Sequence, residues 1–197
     1  MDEVVIQRAL GQFDRTVWIV TSSEGDELGG LVATFVNSAS LVPALPRLLV
    51  GIAVHHHTWR LMRTSRAFTA HLVDEAHCDL LWRFGLSTGH STNKFAGVSW
   101  RRAVSGAPVL DDALAWLDCV VETTFEIGDR SLFLGAIVDG QVNGAGPAMT
   151  STRLFELADD ERRRRLLDDR RHDEALDAGA IQQWRAAQRR SSPAFGL

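Results

Sequence analysis

Two polar clusters lie close together in this chain, and both are built from side chains that bind anions. Asn37, Ser38 and Ser40 form the first; His55, His56, His57 and Thr58 form the second. Amide, hydroxyl and imidazole donors suit a phosphate, because a hydrogen bond to a charged partner contributes about 1.5–3 kcal/mol. The first cluster ends a small-residue run, GGLVATF, in which Gly and Ala let the backbone approach a planar ring closely. The pair therefore fits a flat ring with an anionic tail. The competing reading of Asn37 to Ser40 is a plain turn, as such residues often make. Three consecutive histidines also raise metal binding, but in extended backbone successive side chains point to opposite sides. Only His55 and His57 would then share a face, and no metal site is expected.

The elements that must position these residues can be read from periodicity. A short helix is expected around Asp2 to Phe13. Strands are expected at Thr16 to Ser23, Leu28 to Asn37, Arg47 to Val54 and Phe68 to Val73, with two longer ones at Ala113 to Ile127 and Ser131 to Val142. Pro43 and Pro46 belong to a connection, since proline cannot donate to a ladder. Thr58 is expected to open and cap a short helix, Ala76 to Phe84 to form a second, and Gly85 to Gly97 to be a loop. From Thr150 onward the chain reads as charged helix with a break near His172. The run Gly140 to Gly146 lacks the spacing of a dinucleotide fingerprint.

A chain of 197 residues with a net charge of −4 presents no basic face, so neither nucleic acid nor an anionic membrane is an expected partner. The acidic N-terminus and the lack of a long apolar run predict a cytoplasmic protein. Cys78 and Cys119 are isolated, which fits reduced structural thiols. Lys94 is the only lysine in an arginine-rich chain, a hint of a specific task.

In the order GGLVATFVNSASLVPALPRLLVGI, HHHTWRLM, NKFAGVSW, GAPVLDDALAWLDCVVE and GDRSLFLGAIVDG, the stretch from Val17 to Val142 resembles the flavin reductase-like family of FMN-binding split barrels. The resemblance implies a mainly β fold with peripheral helices, a six-stranded antiparallel split β-barrel over residues 1–148 followed by a C-terminal helical extension over 149–197. It implies a homodimer with FMN near the subunit interface, NAD(P)H as co-substrate, and hydride transfer from NAD(P)H to flavin, with an electron-accepting protein as a further partner. Carried onto matching positions, Ala33, Thr34 and Phe35 would meet the isoalloxazine edge, largely through backbone. Asn37, Ser38 and Ser40 would hold the ribityl and phosphate region, His55, His56, His57 and Thr58 a second phosphate loop, and Lys94 and Phe95 a loop near the cofactor.

Two positions depart from the family. Its GDH turn is GDR here, placing Arg130 where a nicotinamide-binding histidine is usual, and VPALP replaces an acid followed by two prolines. Arg130 can still contact a dinucleotide phosphate, though it cannot act as a neutral imidazole. An FMN electron carrier without its own nicotinamide site is one alternative. A split-barrel module holding haem or another cofactor is the second.

Overall fold

The computed structural model describes residues 2–86 and 93–191, so positions 87–92 of the expected loop and the last six residues of the expected tail lie outside it. Helix α1 (Glu3–Leu10) is capped by Asp2, whose carboxylate accepts from the Val4 N–H at 2.9 Å. The body is one curled antiparallel sheet of seven strands. They are β1 (Trp18–Glu24), β2 (Glu27–Ala33), β3 (Val36–Ser38), β4 (Arg47–Ala53), β5 (Ala67–Leu72), β8 (Ala115–Glu126) and β9 (Arg130–Val142). Their spatial order is β2-β1-β5-β8-β9-β4-β3. The two outer members of that order are neighbours in sequence, separated only by Thr34 and Phe35. One bent segment thus pairs with β1 before the bend and with β4 after it, where the Gly51 N–H donates to the Phe35 carbonyl at 2.9 Å.

This bend corrects the single expected strand from Leu28 to Asn37, and with it the count of six. A second difference is the short hairpin of β6 (Trp100–Arg102) and β7 (Pro108–Leu110), which periodicity did not single out. Three residues per strand are too few to show alternation.

Alternation sorts the core into two layers. Val20, Leu31, Val50, Phe68, Cys119 and Phe133 fill the inside of the curl. Ile19, Val73, Phe84, Phe95, Leu110, Met149 and Leu154 form an outer layer against helix α3 (Cys78–Gly85). Helix α2 (His57–Ser65) buries Leu61 and Met62. Its first residue is His57 and its N-cap His56, which makes no side-chain capping bond. The expected cap, Thr58, instead lies inside the first turn and is buried.

Glycines at 29 and 30 have defined jobs. A Cβ on Gly29 would lie 2.6 Å from Leu61 and 3.2 Å from the Thr58 hydroxyl, and one on Gly30 would lie 2.5 Å from the Phe84 ring. The room left by these missing side chains is filled by α2 and α3. Their smallness therefore serves helix packing, which replaces the reading that reserved it for a planar ligand.

The charged C-terminal segment forms α4 (Ser151–Leu157) and α5 (Asp160–Ser191). Thr150 caps α4, accepting from the Arg153 N–H, and Asp159 accepts from the Arg162 N–H at 2.8 Å ahead of α5. The break falls at Ala158, which is extended, and α5 runs unbroken through His172. The expected spacing of charges is present as Arg170–Glu174 and Arg171–Asp168 pairs on the exposed face. Among the described residues no helix is long and apolar enough to cross a membrane.

Candidate functional site

The bend at Thr34 and Phe35 leaves one edge of β2 without a strand partner. The Gly30 carbonyl accepts from Lys94 Nζ at 2.9 Å, outside the β1–β2 pair, so the even-numbered residues of β2 turn their backbone groups away from β1. Val32 is therefore the next residue whose N–H and C=O face that edge. Among the described residues nothing bonds them across it. Beside the bend, Trp18 pairs in register with Ala33, and its indole Nε1 is buried with no acceptor among the described residues. A buried donor without a partner is costly, so this position favours a ligand that brings an acceptor.

Ala33 itself is 7% exposed and packs in the inner core. Any ligand contact it makes runs through its backbone. Ala33→Leu is accordingly expected to overpack that layer and to cost about 1–3 kcal/mol, read as a lowered urea midpoint at unchanged slope. Thr34 is half-buried, and the Phe35 ring covers Gly51, where a Cβ would lie 2.5 Å away.

The structure does not gather both expected phosphate clusters around one point. Ser38 pairs with Leu48, while the histidines follow the end of β4 at Ala53. About five strand residues, or roughly 17 Å, separate the two levels. One phosphate does not span that distance. Asn37 is exposed, and the Ser38 and Ser40 hydroxyls are used in a local turn: Ser38 donates to the Ser40 carbonyl at 3.2 Å, and Ser40 accepts from the Val42 N–H at 3.0 Å.

The histidines have acidic company. His55 Nε2 lies 3.1 Å from Asp173, and His57 Nε2 lies 3.4 Å from Glu27. Burial, with His55 beside it, pushes the His56 pKa down to about 4, so at neutral pH His56 is uncharged. Arg130 donates to Asp129 at 2.5 Å and to Asp177 at 2.8 Å. Lys94 is 5% exposed and also donates to the Phe84 carbonyl at 2.8 Å; burial lowers its pKa to about 8, so it remains charged at pH 7. Phe95 is buried, edge-on to Phe84 with centroids 5.3 Å apart. It supports the site from behind and is not exposed to a ligand.

Sequence reasoning passed over Trp18, Asp129, Asp173 and Asp177. The spacing of Asp173 and Asp177 by four does mark one helix face, but nothing local says what that face meets.

A family model described as flavin reductase like domain matches residues 10–172. Diflavin flavoprotein A 1 of Synechocystis sp. is 28% identical over 138 residues, which cover 70% of this chain and 24% of that protein. The chain thus spans about a quarter of the length of the diflavin flavoproteins it matches. The reductase subunit HsaB of a flavin-dependent monooxygenase from Mycobacterium tuberculosis is 28% identical over 137 residues, 70% of this chain and 71% of that one. Among solved structures, an NADH:FAD oxidoreductase from Streptomyces globisporus C-1027 superposes with a TM-score of 0.66 at 26% identity, covering 76% of this chain and 87% of that one.

Proposed function

The chain belongs to the flavin reductase like domain family, and on that premise we propose that it is an oxidoreductase that holds FMN and passes hydride to it from NAD(P)H. The observation that carries the reading is the open β2 edge at Val32, bordered by the bend and by the buried Trp18 N–H. Counted with β2 and β3 as one bent strand, the sheet is a six-stranded split barrel, and the bend is where it opens.

Bound flavin supplies the redox chemistry, so the protein's part is binding and orientation. Val32 and Thr34 present backbone groups to the ring edge. Thr58 and the N-terminus of α2, whose N-cap makes no side-chain bond, receive the phosphate. Lys94 ties the edge to α3 from behind.

The β3–β4 hairpin exposes Leu41 (99%), Val42 (51%) and Leu45 (68%), which supports an interface with a second copy of the chain. In such a homodimer Asn37, Ser38 and Ser40 would serve the neighbour's flavin, consistent with their distance from Thr58. Free Cys78 and Cys119 support a cytoplasmic setting, and the resemblance to a monooxygenase reductase subunit supports an electron-accepting protein as a further partner.

Arg130 favours a second reading, an FMN electron carrier without its own nicotinamide site, because both its carboxylate partners are already in place. The two are separated by adding NADH or NADPH anaerobically to protein reconstituted with FMN. Bleaching of the visible flavin band with either nucleotide is the result expected of a reductase. An FMN complex that stays coloured with both belongs to a carrier, and failure to take up any flavin would sink both readings.

A further inference from the structure

The turn after β4 has a property that extended backbone would not give it. The adjacent His55 and His56 rings lie 4.3 Å apart, because Val54 to His56 turn rather than run straight. Asp173 of α5 joins them: one ligand atom from each of His55, His56 and Asp173 lies within 4.8 Å of the others. His55 Nε2 and Asp173 Oδ1 stand 3.1 Å apart, close to the roughly 3.4 Å between two ligands of a tetrahedral ion. Despite that closeness His55 Nε2 is buried and makes no hydrogen bond. A nitrogen and a carboxylate oxygen at that spacing suit a common cation.

The charge balance points the same way. Asp129 and Asp177 flank the Arg130 guanidinium, which bonds Asp129 and one oxygen of Asp177, while Asp173 faces His55. The other Asp177 oxygen is buried without a hydrogen-bond partner, 3.9 Å from His55 Nδ1.

We infer that His55, His56 and Asp173 form a binding site for one divalent transition-metal ion that fastens α5 to the turn ahead of α2. Two imidazole nitrogens and a carboxylate oxygen suit zinc best, with water as the fourth ligand. The role is structural. The inference does not depend on the flavin reading, and its test uses flavin-free protein.

The experiment titrates zinc chloride into chelator-treated, untagged full-length chain against a chromophoric competitor. Thermal midpoint and trypsin cleavage within the arginine-rich α5 are followed in parallel. One zinc per chain is expected, with a raised midpoint and slower cleavage. Asp173→Ala and, separately, His56→Gln are expected to weaken binding at least tenfold, whereas His172→Ala, on the exposed side of the same helix, is expected to leave it unchanged. Circular dichroism of the metal-free variants confirms their folding. Zinc affinity equal in wild type and Asp173→Ala would mean an adventitious ion and overturn the site, as would the absence of stoichiometric binding by the wild type.

Discussion

Lys94→Met is expected to leave the chain folded and to weaken FMN binding at least tenfold. Two opposing effects nearly offset in stability. The ammonium is buried, and lowering its pKa from 10.5 to about 8 corresponds to about 3 kcal/mol of desolvation that methionine does not suffer. Against this, the Gly30 and Phe84 carbonyls each lose a donor, at about 1–3 kcal/mol apiece. The net change should stay within about 3 kcal/mol of either sign, by the same magnitudes. Function has no such compensation. Lys94 is the link between the open edge of β2 and the end of α3, so without it the backbone at Gly30 and Val32 is no longer held at a fixed separation from that helix. Quenching of FMN fluorescence on titration measures the loss, and stoichiometric FMN retention by the variant would remove Lys94 from the site.

The contrast between Lys94 and the histidines shows where sequence stops informing. A solitary lysine in an arginine-rich chain stands out in composition, and the structure gives it a specific pair of acceptors. The histidine turn also stands out, but its surroundings do not, because Asp173 and Asp177 arrive from a helix far along the chain. Long-range contacts of that kind leave no local trace, so the expectation of cationic donors around a phosphate met carboxylates instead.

The fold was legible where long elements carry a strong local pattern. β8 and β9 lie within two residues of their expected bounds, and α3 follows its helical spacing. The bend at Thr34 was not legible, because both faces of that segment are apolar and the turn is imposed by two different partners, β1 and β4. His172 misled in the opposite direction. Polar residues there suggested a break, yet on an exposed helix they carry little cost, and no proline or cap interrupts α5.

His71→Leu is expected to destabilise the chain by about 2–4 kcal/mol at pH 7 and to remove part of its acid sensitivity. His71 is fully buried in β5; its Nδ1–H donates to the Ile19 carbonyl at 3.0 Å, and its Nε2 accepts from the Leu110 N–H at 3.0 Å. Leucine preserves the apolar bulk but leaves the Leu110 amide without a partner, at about 1–3 kcal/mol, and forfeits about 1 kcal/mol more at Ile19. The same two bonds fix the tautomer. A second proton would sit on Nε2, facing another donor, and burial adds to that penalty, holding the folded pKa near 4 against 6.5 for the free side chain. The unfolded chain therefore binds more protons than the folded one between those values, and stability rises with pH across that window. The group's contribution is complete above about pH 6.5 and declines as the pH falls towards 4, by about 3 kcal/mol in all. The leucine variant lacks this group, so urea unfolding of both proteins from pH 7 to pH 4 should show the gap between them shrinking by about that amount. A gap that stays constant over this range would mean that His71 takes up its proton as readily in the folded as in the unfolded chain, and that the donor and acceptor roles assigned to its two nitrogens are wrong.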